Sequence, residues 1–389
     1  MLLSVGLIII LGLLLGWLAS KLHLPRIIGM LLAGVILGPH FLNLLDSSII
    51  DISVDLRKIA LIIIIVRAGL SLDITDLKKT GRPAVMLCFI PATFEMLAFV
   101  IFAPAIMGVT RLQAAILGAV MGAVSPAVTV PRLTKMIDDG YGVKKGIPQM
   151  LIAGASADDI YVIVLFTTLV GIEAGGSMDA MSLLRIPLEI ILGTLLGAVT
   201  GIILSVFFKK VHMRDSLKIT IIMALSMLMY WVEGLVPVSG LLAVMTTGIA
   251  VNMRRPDVSK RLSAKFSKLW VAAEIFLFVL VGSTVNIEYV TRAGIGMAVM
   301  LFIGLLFREA GTWLSILKTG LNKKEIAFCL ISEIPKATVQ AAIGGVPLAM
   351  GLSCGDTVLT MAVLAIVITA PIGAIGMDMT EHRLISKDI

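Results

Sequence analysis

Two adjacent carboxylates stand in the middle of a long apolar stretch. Asp158 and Asp159 occur within MLIAGASADDIYVIVLF, which holds no other charged residue. A charge at the centre of a bilayer costs about 2.5–3.5 kcal/mol on insertion scales, so ionisable residues in apolar spans are functional candidates. Two close carboxylates repel each other, which favours a proton on at least one of them. Such a group can exchange a proton for a hard cation, and oxygen ligands suit Na⁺ or Li⁺.

A few other ionisable residues also fall inside apolar stretches. They are Arg57, Lys58, Arg67, Glu95, Glu189, Arg308, Glu309, Glu333 and Lys336. Pairing between helices would explain several of them without any chemistry. Glu95 is a predicted partner of Lys336 or Arg308. Glu333 stands three residues before Lys336, so it either pairs with that lysine or adds a carboxylate.

Two apolar stretches are interrupted by proline and glycine. One carries SPAVTVP at residues 125–131, and the other carries IPKATVQAAIGGVP at residues 334–347. Proline removes a backbone donor and clashes with the preceding helical turn. In a membrane, such breaks are tolerated where the backbone is buried in protein or lines a cavity. A pair of interrupted segments therefore indicates a binding site near the bilayer midplane of a transporter.

The composition requires a lipid environment around these elements. The chain is 58% hydrophobic and 15% charged, with a mean hydropathy of +1.05, whereas soluble domains carry about 25% charged residues. Apolar runs of roughly 20 residues without period-two alternation predict helices. Thirteen spans are predicted, at approximately residues 2–20, 26–45, 53–71, 84–106, 112–133, 148–171, 183–208, 216–232, 235–252, 266–286, 291–316, 325–350 and 357–377.

The basic residues orient these spans. With the N-terminus outside, 24 Lys and Arg residues fall in cytoplasmic segments and 3 in external ones, as the positive-inside rule requires. The prediction is a multi-pass protein of the cell (inner) membrane with a cytoplasmic C-terminus. Because this asymmetry accounts for the net charge of +7, we expect no nucleic-acid partner.

The motifs together resemble a known family. GAVSPAVTVPRL, GYGVKKGIP, AGASADDI and IPKATVQAAIG follow one another in this order, after LPRIIGMLLAGVILGP and the RAGLSLD around Arg67. This set is similar to the cation/proton antiporters of the monovalent cation:proton antiporter-2 group, in the sodium/proton branch that includes animal relatives. The matches run from about residue 25 to about residue 345.

The resemblance implies an all-α membrane fold of about thirteen helices with inverted repeats and two crossed broken helices. A single membrane domain would fill residues 1–389. Within it, residues 84–175 and 291–377 would form the core halves, and residues 1–71 and 216–286 a dimerisation part. Residues 183–208 would link the two. The same resemblance implies a homodimer, elevator-type alternating access and a role in pH homeostasis.

The resemblance also implies roles for individual residues. Asp159 matches the aspartate that binds the exchanged cation, and Asp158 matches the partner of a basic residue at Arg308. Ser125 and Thr129 would add oxygens around the cation, with Lys336, Glu95 and Glu333 in support. Many electrogenic relatives carry Lys at the position of Arg308. Since arginine effectively does not lose its proton, exchange of Na⁺ or Li⁺ for H⁺ is expected to be electroneutral.

Other functions fit less well. A sodium-coupled symporter of organic anions with a similar fold, or a K⁺/H⁺ exchanger, is the closest alternative. An intramembrane aspartyl protease needs two aspartates on separate helices, whereas this pair is contiguous. The sequence has no phosphate loop or dinucleotide fingerprint, so neither an enzyme nor a cofactor is expected.

Overall fold

The computed structural model describes residues 1–71, 81–175, 180–285 and 287–388. Within them the protein is helical, and its one β-bridge joins Tyr141 and Lys387. Lys78 and Lys79, which the orientation argument places on the cytoplasmic side, lie outside these residues. The helices of the N-terminal half are α1 (Leu2–Lys21), α2 (Arg26–Leu37), α3 (Ser47–Asp51), α4 (Ser53–Ser71), α5 (Arg82–Leu87), α6 (Ile90–Met107), α7 (Arg111–Met121), α8 (Pro126–Asp139) and α9 (Ile147–Gly175). Those of the C-terminal half are α10 (Ala180–Lys210), α11 (Asp215–Val232), α12 (Gly240–Arg254), α13 (Pro256–Ser283), α14 (Ile287–Ser315), α15 (Lys323–Ser332), α16 (Thr338–Ile343), α17 (Val346–Ala349) and α18 (Gly355–Leu384).

The predicted all-α membrane architecture is confirmed. In the described part of the chain, eight helical segments are long and apolar enough to cross a membrane, and three shorter apolar helices accompany them. Each predicted span coincides with one helix or with one interrupted set of helices. The predicted ends are less accurate. The span predicted from residue 266 begins at Pro256, and the span predicted to residue 45 ends at Leu37, just before Gly38 and Pro39.

The chain divides into two compact units. The first consists of the described residues among 1–53, 81–173 and 278–388. In this unit, α6 packs closely on α14 because two glycines of α14 leave room for it. A Cβ atom on Gly304 would lie 2.7 Å from the Phe99 ring, and one on Gly311 would lie 2.9 Å from Cα of Pro91. Small residues allow such close approach between membrane helices. The two glycines lie about one turn on either side of Arg308, which is therefore held against α6.

Two helix breaks meet inside the first unit. Residues 122–125 separate α7 from α8, and residues 333–337 separate α15 from α16. The Ser125 N–H donates to the Pro335 carbonyl at 2.8 Å. The Gln340 side-chain amide donates to the carbonyls of Val120 and Ala123 at 3.1 and 2.9 Å. The broken segments therefore satisfy part of each other's backbone, as membrane burial demands.

The second unit consists of the described residues among 54–71 and 174–277. Its helices α10 and α12 also pack through glycine, because a Cβ atom on Gly197 would collide with the Ala243 carbonyl. Gly69 of α4 meets Met245 and Gly248 of α12 in the same manner. The candidate site described next lies wholly within the first unit.

Candidate ion site

Arg308 is the centre of a buried charge network. Its side chain is fully buried, and it uses all five of its N–H donors. The Nε atom donates to the Glu333 carbonyl at 2.9 Å, and one Nη atom donates to the Gly122 carbonyl and to Glu95 at 3.2 Å. The other Nη atom donates to Asp158 at 3.3 Å and to the Glu333 carboxylate at 2.7 Å. One guanidinium thus joins α6, α9 and both helix breaks.

Lys336 supplies the second buried cation. Its Nζ atom lies 2.6 Å from Glu95 Oε2, the same oxygen that contacts Arg308. Its backbone N–H donates to the Thr369 hydroxyl of α18 at 2.8 Å. The pairs join two cations to the three carboxylates of Glu95, Asp158 and Glu333. A buried ion pair persists only with good geometry and satisfied hydrogen bonds. Arg308 meets that condition with five hydrogen bonds, whereas the Lys336 ammonium is held by its one short contact with Glu95.

Asp158 is fixed within this network. Its Oδ2 atom accepts the bond from Arg308 and a second bond from the Val124 N–H at 2.9 Å. Val124 belongs to the break between α7 and α8, so its amide is free to bind a side chain. Asp158 therefore couples α9 to the broken helix. Its Oδ1 atom is buried without a hydrogen-bond partner in the described part of the chain.

Asp159 differs from its neighbour. It contacts no Lys or Arg side chain in an ion pair among the described residues, and its Oδ1 atom is buried without a hydrogen-bond partner there. The residue as a whole is half-buried, whereas Asp158 is buried. The two adjacent carboxylates therefore have different surroundings: Asp158 is held by a cation and an amide, and Asp159 has no ion pair among the described residues.

The two hydroxyl groups predicted to bind the cation lie close together in sequence. Ser125 is in the break before α8, and Thr129 is in the first turn of α8. The Ser125 hydroxyl is 3.4 Å from the Thr338 hydroxyl and accepts from the Thr338 N–H at 3.4 Å. The Thr129 hydroxyl donates to the Ser125 carbonyl at 3.1 Å. Within the described residues no hydrogen bond joins either hydroxyl to Asp159. A hydroxyl that donates keeps lone pairs available for a cation.

The structure separates two residues that the sequence suggested as partners. Glu333 binds Arg308, whereas Lys336 binds Glu95. Residues 334–336 are not helical, so Glu333 and Lys336 do not face each other as residues three apart would in a helix. Glu95 was predicted to pair with Lys336 or with Arg308, and it contacts both.

The sequence predicts no role for three further side chains at or near the network. Gln340 spans the two breaks, and its presence in the PKATVQ motif was the available signal. Thr369 lies in an apolar span with no signal of any kind. Glu309 follows Arg308 and has both carboxylate oxygens buried without partners among the described residues. That part of the chain holds no group of three or more His, Cys, Asp or Glu residues arranged for a metal, and a monovalent cation bound beside Asp159 would be cargo.

Comparison with known proteins agrees with this architecture. The family model described as "Sodium/hydrogen exchanger, transmembrane" matches residues 7–379. The chain is 35% identical over 380 residues to sodium/hydrogen exchanger 9B2 of Mus musculus, covering 94% of this chain and 69% of that protein. It is 32% identical over 385 residues to sodium/hydrogen exchanger 9B1 of Homo sapiens, covering 94% and 73%.

A solved structure shows the same fold. The sodium proton antiporter MjNhaP1 from Methanocaldococcus jannaschii at pH 8 superimposes with a TM-score of 0.85 and 21% identity, over 98% of this chain and 97% of that one. The match of the family model to nearly the whole chain is decisive for classification. The chain belongs to the transmembrane sodium/hydrogen exchanger family.

Proposed function

We propose that this protein exchanges Na⁺ or Li⁺ for protons and that Asp159 is the group at which the two ions compete. Cation/proton exchange is the activity of the family, and the family's members are transporters rather than enzymes. The observation that carries the proposal is the contrast between the adjacent carboxylates. Asp158 is bound by Arg308 and Val124, whereas an oxygen of Asp159 is buried and unpartnered among the described residues.

Competition at one carboxylate couples the two fluxes. A buried carboxylate oxygen without a partner is costly, and either a proton or a monovalent cation bound to Asp159 removes that cost. Ser125 and Thr129, which lie at the adjacent break, are the proposed sources of further oxygen ligands. No resident cofactor is proposed.

Arg308 makes the exchange electroneutral in this proposal. Its five hydrogen bonds hold it in place, and a guanidinium does not release its proton in proteins. The proposal also keeps Lys336 charged, because its Nζ atom lies 2.6 Å from Glu95, so that only the charge on Asp159 changes during the cycle. Because one Na⁺ replaces one H⁺, the site carries the same charge in both loaded states.

The wider organisation is proposed from the family resemblance. Alternating access would be an elevator-type movement of the core, residues 84–175 and 291–377, in a homodimer formed by residues 1–71 and 216–286. Residues 183–208 would link these parts. The proposed location is the cell membrane, with an external N-terminus and a cytoplasmic C-terminus, and the proposed role is pH homeostasis. Symport of organic anions is not favoured.

The proposal is tested by transport in proteoliposomes that contain a pH-sensitive dye. Addition of Na⁺ or Li⁺ is expected to move protons, and addition of K⁺ to move few. Asp159→Asn is expected to abolish the response. Cation-driven proton movement that persists in Asp159→Asn would contradict the assignment, and a dominant response to K⁺ would favour the K⁺/H⁺ alternative.

Glu309→Gln is the matched control. It removes another carboxylate whose oxygens are buried without partners in the described residues, one position from Arg308. The proposal predicts that this variant keeps Na⁺-driven proton movement. Equal loss in both variants would show that Glu309 is required as well, and would remove the special role of Asp159.

A further inference from the structure

A cavity of about 530 Å³ lies in the first unit, apart from the charge network. It is formed by the start of α5, by the loop that precedes α9 together with the first turn of α9, and by the segment that follows α14. The residues that line it are Arg82, Pro83, Val143, Lys144, Lys145, Gly146, Gln149, Met150, Leu317, Lys318, Thr319 and Leu321. Its size is in the range of small-molecule sites, about 300–1,000 Å³.

The charge of this lining has one sign. Four residues are basic and none is acidic. Lys145 is already paired with Glu325 at 2.8 Å. Arg82 and Lys318, in contrast, have no acidic partner among the described residues. At least two cations therefore border a concave space without a counter-charge.

The backbone holds one of these cations in an unusual conformation. Lys318 has φ +62°, a region that few residues other than glycine adopt. Gly320, two positions later, has φ +76°, so the same loop contains a second residue in this region. Strain of this kind persists where the surrounding structure or a function requires it.

The remaining lining fits an amphiphile. Pro83, Met150, Leu317 and Leu321 make part of the wall apolar. Gln149 adds a side-chain Oε1 atom that is buried without a hydrogen-bond partner in the described residues. That oxygen can accept from a ligand hydroxyl group, whereas Arg82 and Lys318 suit a phosphate. By charge asymmetry these segments lie on the predicted cytoplasmic side, where anionic lipids attract basic residues.

We propose that this cavity binds the phosphate of an anionic, hydroxyl-bearing phospholipid headgroup. A bound headgroup would connect the loop before the Asp158 helix with the segment that follows the Arg308 helix, and would stabilise the first unit. The site is separate from the ion site, and its existence does not depend on the transport proposal.

The test measures the melting temperature of the full chain in neutral detergent. Dioctanoyl phosphatidylglycerol is expected to raise it in a saturable manner, and dioctanoyl phosphatidylcholine is not. The double variant Arg82→Gln/Lys318→Gln is expected to raise the half-saturating lipid concentration by about 30-fold. Each basic residue near an anionic lipid contributes about fivefold to the affinity. The matched control Lys260→Gln/Lys265→Gln removes two exposed charges on the same predicted side and is expected to keep the response.

Each outcome decides the proposal. A saturable shift that is lost only in the Arg82/Lys318 variant supports it. Absence of a shift in the parent, or equal loss in the control variant, overturns it. If glycerol 3-phosphate alone reproduces the shift at the same concentration, the ligand is a soluble phosphate and the lipid assignment is wrong. Because no transport is measured, these results stand apart from the outcome for Asp159.

Discussion

Replacing Arg308 with Lys tests the charge network most sharply. The guanidinium donates five hydrogen bonds, and an ammonium can donate at most three. At least two hydrogen bonds to buried acceptors are therefore lost, at about 1–3 kcal/mol each. The expected loss of stability is about 2–6 kcal/mol. With the unfolding entropy per residue of globular proteins, this corresponds to a decrease in melting temperature of about 2–7 °C.

The same substitution introduces a side chain that can release a proton. A buried lysine can lose its proton, whereas arginine cannot. Under an inward Na⁺ gradient in proteoliposomes, we expect Arg308→Lys to generate a voltage and the parent to generate none. A voltage-sensitive dye reports this difference, and the melting temperature is followed on the same preparation.

A surface pair provides the control for this experiment. Arg132 makes a two-bond contact with Asp378 at 2.7 and 3.0 Å, and both side chains are partly exposed. Exposed pairs contribute about 0–1 kcal/mol, so Arg132→Lys is expected to leave both readouts nearly unchanged. If Arg308→Lys melts like the parent, or if the parent itself generates voltage, the role assigned to Arg308 is refuted.

Two further predictions concern stability and are measured by melting of the purified chain. Glu95→Gln leaves the buried Lys336 ammonium without an ion-pair partner among the described residues and is expected to lower stability by about 3–5 kcal/mol. Lys336→Met leaves Glu95 paired with Arg308 and is expected to cost less, about 1–3 kcal/mol. The double variant is expected to lose less than the sum by at least about 1 kcal/mol, and strict additivity would show that the 2.6 Å contact is not a coupled pair. Gly311→Ala places a methyl group 2.9 Å from Cα of Pro91 and is expected to cost about 1–3 kcal/mol. Gly294 lies on the same helix, and nothing lies within 4 Å of the atom that Gly294→Ala would add, so this control is expected to be neutral or stabilising. Equal effects of the two substitutions would contradict close packing of α6 on α14.

Much of the fold follows from local features of the sequence. Long apolar runs locate the membrane helices, because lipid leaves the backbone no other partner. Proline locates the breaks as well: Pro126 is the first residue of α8, and Pro335 lies between α15 and α16. Helix ends were predicted less well where a helix continues beyond the hydrocarbon. Residues 256–265 are polar, so a hydropathy window does not detect them although they are helical.

The pairing of the buried charges could not be read from the sequence. Composition identifies Glu95, Arg308, Glu333 and Lys336 as costly residues that need partners, but not which partners they have. The answer depends on the close approach of α6 to α14 and on the unwound backbone after Glu333, which directs neighbouring charges to different partners. The Gly122 carbonyl is an acceptor for Arg308 that no side-chain motif could reveal.

The difference between the adjacent aspartates also required the structure. Both positions look alike in an apolar span, and their separation by about 100° around the helix shows only that they face different directions. The amide of Val124, freed by the helix break, is one reason that Asp158 is fixed. Its availability depends on where the break lies relative to α9.

The central claim is that one cation replaces one proton on Asp159 while Arg308 stays charged. The most direct measurement is the reversal point of exchange in proteoliposomes whose membrane potential is clamped with K⁺ and valinomycin. One-for-one exchange predicts zero net flux when the proton ratio across the membrane equals the Na⁺ ratio, at every clamped potential. A reversal point that moves with the potential would contradict it, because net charge would then cross the membrane in each cycle.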